Sequence, residues 1–388
     1  MAWLRHYDAA LTRRHFSLIA AAGFDSVRVF PPWEDCQPSP ETVGAAALSH
    51  LVDVADAAVG SGLELIVTLF TGHMSGVNWI PPWATGPGAR DLRFRVVAGG
   101  QVQDRDRGLR NWYTDPEVGA AQERLAEACA GALAGHPGLW AWDLGNENSN
   151  CTVPPDRAAG LAWLERMSGA LRSRDPGRPV TIGTHMEDLE EDRAIGPAEA
   201  AQWCDFVSMH GYPIYAPWAA GPTDHHLVIF LAEITRWLAG DADVLFEEFG
   251  LPTIPPGRDG LLPLVAEREA AAFTGQVLDG LRRAGAMGAL LWCFGDYAPS
   301  LHHQPPFDLA PHERTFGLWR ADGSPKPALA EVTARVNLAV LAPAGAAGRD
   351  WLDVDVAQYQ ADRRQELIRL YGRYRAGLKL EENPEAVG

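Results

Sequence analysis

The chain has 388 residues, 47% hydrophobic and 21% charged, with a formal net charge of −17. That is ordinary globular composition with enough apolar material for one large α/β barrel or two domains. The acidic balance leaves no basic surface for phosphates, so no nucleic-acid partner is expected. Five scattered cysteines (Cys36, Cys129, Cys151, Cys204, Cys293) form no CxxC pair and read as reduced thiols. No basic-then-apolar leader opens the chain and no apolar run is long enough to span a bilayer. A cytoplasmic monomer with no membrane partner is therefore expected of the chain as it stands.

Met1 is followed almost at once by a helical stretch, Tyr7–Ala22. Apolar runs of strand length then recur at Asp25–Phe30, Leu63–Phe70, Leu139–Leu144, Pro179–Thr184, Asp205–His210, Asp243–Phe249 and Ala289–Phe294. Segments of helical period lie between them, among them Pro116–Ala134, Arg157–Arg172 and Glu267–Arg283. Continuous apolar strands alternating with amphipathic helices predict a parallel sheet covered by helices. Seven such strands, with no Gly-rich phosphate loop after the first, suit an α/β fold of the (β/α)8 TIM-barrel type better than a doubly wound sheet.

Polar and aromatic residues gather just after the runs: PPWED, TGHMSGVNW, NEN, HMED, GYP, FG and GDY. Barrel enzymes build their sites from the loops at the C-terminal ends of the strands. Glu147 and Glu248 both stand at such ends, and a pair of carboxyl groups flanking one bond is what glycoside hydrolysis requires. Glu248 ends an apolar run, where a carboxylate is costly without a role. Glu247 competes with it, because strict strand alternation points only one of the two inward. If Glu248 faces the barrel axis, Glu247 faces the helices or a local partner.

GNE at the end of one strand, HGY two strands later, then EFG, then a strand ending in Trp292, resembles the clan A glycoside hydrolases, most closely family 5 (cellulases and β-mannanases). The resemblance runs from about Phe24 to Leu329 and includes the SVRVF strand and the late FGLWRADGSPKPAL stretch. It implies Glu147 as acid/base and Glu248, before Phe249-Gly250, as nucleophile, with double displacement on a β-linked glucan- or mannan-type oligosaccharide or polysaccharide. Asn146 would hold the sugar 2-hydroxyl and Trp292 would form the floor on which the sugar stacks. Arg28, buried on the first run, needs a carboxylate partner, and Glu248 is the natural one. Tyr212 would hydrogen-bond the nucleophile and His210 would contact the sugar; His73, in the loop after the second run, is either a sugar contact or a structural residue. His225-His226 and His302-His303 are adjacent pairs, whose side chains do not converge as i, i+4 ligands do, and there is no HExxH, so neither a metal nor another cofactor is expected.

The family's barrel usually opens with a strand before the first helix, carrying a GVNY-like segment. Nothing upstream of Tyr7 is long enough to supply it, so the first strand is expected to be missing, leaving the strand of Arg28 with an unpaired edge. A start further upstream could add that strand and a secretion signal. A catalytically impaired, sugar-binding barrel is the alternative this suggests. The long connection Thr71–Asp115, with Asn78, Trp79, Trp83, Trp112 and Tyr113, is expected to wall the substrate cleft, and Tyr297–Thr315 forms a second long loop. The catalytic domain is expected over residues 1–340, and residues 341–388 as a linker and a C-terminal helical extension.

Overall fold

The computed structural model describes residues 3–86, 93–104, 107–254, 264–339, 341 and 349–382. Every strand expected from the apolar runs is present: β1 (Ser26–Val29), β2 (Glu64–Thr68), β7 (Leu139–Asn146), β8 (Val180–His185), β9 (Val207–His210), β10 (Val244–Phe249) and β11 (Gly288–Leu291). They form one seven-stranded sheet in the order β1-β2-β7-β8-β9-β10-β11. The β1–β2, β2–β7, β7–β8 and β10–β11 ladders are parallel. The fold class is α/β of the (β/α)8 barrel type. Among the described residues no strand precedes the first helix, Ala9–Ala21.

The chain divides into two compact units. The first comprises Met1–Thr184, Arg193–Val207 and Gln304–Ala310. Three of its helices start where an aspartate satisfies free N–H groups of the first turn. Asp8 accepts from Leu11, Asp115 from Glu117 and Val118, and Asp156 from Ala159. Each such cap contributes about 1 kcal/mol. Pro116 follows Asp115 at the first helical position, where its missing N–H costs nothing. The helix Ala45–Ser61 stops at Gly62, whose φ of 73° is left-handed and suits glycine.

Two expectations for the connection Thr71–Asp115 change. It is not all loop: β3 (His73–Met74), β4 (Val77–Trp79), β5 (Arg95–Ala98) and β6 (Gln101–Val102) make a second, four-stranded sheet. Trp112 is no cleft wall either, since it is fully buried with its ring edge-on to Trp33 at 5.2 Å, and Trp83 packs on the Trp33 indole at 5.4 Å. Burying a large apolar side chain stabilises the fold by about 1.5–3 kcal/mol, which outweighs any benefit of leaving the Trp112 indole free for ligand.

The second unit comprises His185–Asp192, Ser208–His303 and Pro311–Gly388. Its central helix, His225–Leu238, buries most of its residues. Phe230 meets Trp351, Tyr371 and Tyr374 at ring separations of 5.2, 5.2 and 5.5 Å. Tyr371 and Arg375 of the helix Arg363–Glu382 both bond Asp224, at 2.5 and 2.6 Å. The linker expected at 341–348 lies, residue 341 apart, outside the described residues.

Candidate active site

In the first unit, the side chain of Arg28 on β1 is 4% exposed and pairs with Asp143. Arg28 Nη2 stands 2.6 Å from Asp143 Oδ2, and Arg28 Nε donates to the same oxygen at 3.1 Å and to Thr68 Oγ1 at 2.9 Å. Thr68 donates to Asp143 at 2.7 Å, and the Gly183 and Gly145 amides bond the other carboxylate oxygen at 2.9 and 3.2 Å. Within its own unit Arg28 is thus paired with Asp143, a residue outside the motifs. A sequence signal for it exists, since Asp143 interrupts an apolar strand and a charge there must be compensated.

Two steps beyond Asp143, the chain turns sharply. On β7 three steps from Asp143 to Asn146 match only two on β8, from Thr181 to Gly183, so β7 carries one extra residue before its end. Bulges of this kind re-aim side chains beside active sites. Gly145 has φ 147°, and a Cβ there would collide with the Asn148 amide. Glu147 itself has φ 49° and ψ 48°, a left-handed conformation costing a non-glycine residue about 1–3 kcal/mol. Its amide is held by the Gly183 carbonyl at 2.9 Å.

The Glu147 carboxylate is partly exposed and well braced. Asn150 Nδ2 donates to Glu147 Oε2 at 2.9 Å, and the Asn150 carbonyl accepts from Asn78 Nδ2 at 2.9 Å. That bond orients the Asn78 amide so that its oxygen faces His73 Nδ1 at 2.8 Å. The Nδ1 proton is thus fixed on His73, and Nε2 faces Glu147 Oε2 at 3.8 Å, too long for a hydrogen bond. His73 is 5% exposed and its ring lies 4.4 Å from that of Phe94. His73 is thus a buried neighbour of Glu147, delivered by the β3–β4 hairpin in which it pairs with Asn78. Asn146 Nδ2 donates to the His73 carbonyl at 2.9 Å. Its Oδ1 is buried with no hydrogen-bond partner among the described residues, an arrangement that suits a ligand hydroxyl.

The second unit carries His210, Tyr212, Glu247, Glu248 and Trp292. Tyr212 donates its hydroxyl to Glu248 Oε2 at 2.7 Å. Phe316 and Tyr215 stand edge-on to the Tyr212 ring, at 5.8 and 5.7 Å. Gly211, between His210 and Tyr212, bonds the Glu248 carbonyl through its amide at 3.1 Å; a Cβ there would run into Leu231 and Phe246. Trp292 is half-buried, and its amide donates to the Phe249 carbonyl at 2.9 Å. Gly250 passes so close to the Trp292 carbonyl that a Cβ would collide with it.

Strict alternation fails on β10. Between Phe246 and Phe249 the strand has three steps against two on β11, from Ala289 to Leu291. The extra residue falls at Glu247–Glu248. Both carboxylates consequently reach one imidazole: His210 Nε2 is 3.2 Å from Glu247 Oε2, and His210 Nδ1 is 3.7 Å from Glu248 Oε2. His210 is 1% exposed and faces a carboxylate from each ring nitrogen.

No family model matches the chain. Curated proteins similar to it include mannan endo-1,4-beta-mannosidase 2 of Oryza sativa subsp. japonica, 29% identical over 206 residues covering 46% of this chain and 44% of that protein. Mannan endo-1,4-beta-mannosidase F of Aspergillus clavatus is 24% identical over 226 residues, covering 54% and 45%. The chain thus spans less than half the length of these relatives. Among solved structures, a variant of a Streptomyces cattleya GH5_18 protein, in complex with Manβ1-4GlcNAc, superposes with a TM-score of 0.78 at 24% identity, covering 98% of this chain and 88% of that one. The exo-beta-1,4-mannosidase Op5Man5 from Opitutaceae bacterium strain TAV5 gives 0.71 at 26% identity, covering 87% and 56%. The fold is that of clan A glycoside hydrolases. Motifs, curated relatives and solved structures agree that the chain resembles family 5 of that clan, and the relatives just described that are named for an activity are β-mannosidases.

Proposed function

We propose that the protein is a retaining β-glycoside hydrolase that cleaves β-mannosyl bonds, with Glu147 as acid/base and Glu248 as nucleophile. Each glutamate stands at the C-terminal end of a strand of one sheet, and barrel enzymes place their chemistry at such ends. In the first step the Glu248 carboxylate attacks the anomeric carbon while Glu147 gives its proton to the departing glycosidic oxygen. In the second, Glu147 takes a proton from water, the water oxygen attacks the same carbon, and the bond to Glu248 breaks, regenerating both carboxyl groups. Asn146 Oδ1 accepts the sugar 2-hydroxyl in this reading, and Trp292 offers the stacking face.

The observation that carries the proposal is the Tyr212–Glu248 hydrogen bond. A donor held at 2.7 Å favours the ionised carboxylate that a nucleophile requires. The mannosyl preference rests on the relatives. Hydrolysis of aryl β-mannosides and β-glucosides by the purified chain tests it, with Glu248→Ala as control. Faster turnover of the mannoside, abolished in the control, is expected. Turnover of neither sugar, with oligosaccharide binding retained, would instead indicate a sugar-binding barrel.

A further inference from the structure

Glu247 has no part in the two-step reaction, yet it is 1% exposed and lies against a histidine that itself faces the nucleophile. Burying a carboxylate next to a second carboxylate is unfavourable unless a cation stands between them. His210 stands between the two, at 3.2 Å from Glu247 and 3.7 Å from Glu248. The single-residue bulge in β10 is what makes this possible, since in a regular strand neighbouring side chains point to opposite faces.

We propose that Glu247 is a positioning residue that holds His210 as an imidazolium, with Nε2–H donated to Glu247 and Nδ1–H directed at the nucleophile Glu248. The inference rests on the assignment of Glu248 as nucleophile. Among the described residues of its own unit, the titratable groups near Glu248 include Tyr212, Cys293 and Tyr297. Burial, reinforced by nearby acidic groups, raises the pKa of both Cys293 and Tyr297, so both stay neutral and supply no counter-charge. The imidazolium then opposes the negative charge that returns to Glu248 when the glycosyl–enzyme bond breaks. Glu247 keeps that cation in place without touching the substrate.

The test compares the full chain with Glu247→Gln and Glu247→Asp. Glutamine can still accept from Nε2 but carries no charge, so the His210 pKa should fall by about one unit or more. On an aryl β-mannoside, the basic limb of the kcat/KM profile should move to lower pH by a similar interval, with unchanged melting temperature. Glu247→Asp, which keeps the charge, should recover part of the shift. A purely structural role for Glu247 would leave the limb where it is, and that outcome would overturn the proposal. Nitrogen-15 NMR of His210 in the unmodified protein gives a second reading should the glutamine variant fail to fold. Both ring nitrogens protonated at pH 7 is the expected result, and one bare nitrogen at that pH contradicts it. A wild-type protein that hydrolyses no aryl β-glycoside would remove the hydrolase reading, while the NMR titration would still judge the Glu247–His210 pair.

Discussion

The Tyr212 hydroxyl sits 2.7 Å from Oε2 of Glu248, the oxygen that His210 Nδ1 also faces from 3.7 Å. One carboxylate oxygen is thus addressed by two side chains that lie two residues apart on either side of Gly211. Tyr212→Phe removes the donor but keeps the ring and its edge contacts with Phe316 and Tyr215. Losing one such donor to a charged group costs about 1.5–3 kcal/mol, so kcat/KM should fall by about 10–150-fold while the melting temperature moves little. Steady-state kinetics with a thermal melt check this.

The Arg28–Asp143 pair is fully enclosed, with side-chain exposures of 4% and 0%. Removing one partner of a buried ion pair is destabilising by about 3–5 kcal/mol. Arg28→Met and Asp143→Leu should each destabilise by that order, and the double variant by clearly less than the sum. Urea unfolding of the four proteins gives the coupling directly. Additive losses would mean that the pair does not act as a unit.

Glu147→Ala should separate chemistry from leaving-group ability. Aryl leaving groups that depart without protonation should lose far less rate than alkyl or sugar leaving groups. Azide should restore turnover of activated substrates and give a β-glycosyl azide, because a small anion can then attack the glycosyl–enzyme without base assistance. Equal losses on all substrates, with no azide product, would count against Glu147.

The His225 imidazole is half-buried at the start of the helix His225–Leu238, and burial, with help from His226, pushes its pKa down from 6.5 to about 4. The unfolded chain therefore binds the proton more readily between those two values. Stability from this group is complete above pH 6.5 and declines as the pH falls toward 4. Chemical denaturation at pH 7 and at about pH 5 should show a smaller loss of stability in His225→Gln than in the parent. An identical slope would show that His225 does not contribute.

The strands were legible because each is a continuous apolar run, and that pattern survives in any parallel sheet covered by helices. Tyr212 was legible from its two-residue spacing to His210 and its order before EFG. Three features were not. The β3–β6 sheet depends on pairing Val77 with Arg95 across a long stretch of chain, and strands this short leave no periodic trace. Asp143 as a partner of Arg28 was not foreseen, because a motif supplies the glutamates it contains, whereas Asp143 lies two residues before GNE begins. Glu247 was set aside on strict alternation, and a one-residue bulge has no signature in composition or period. That bulge is a local irregularity beside a candidate catalytic residue, where regular patterning gives way to the geometry of a site.

The most direct test of the central claim is to trap the intermediate. A 2-deoxy-2-fluoro-β-mannosyl fluoride slows both steps but releases fluoride readily, so a retaining enzyme should accumulate the glycosyl ester long enough for peptide mass spectrometry. The account predicts one modified peptide with the sugar on Glu248 and none in Glu248→Ala. A label on Glu247, or an unlabelled protein whose first-formed product has inverted configuration, would contradict it.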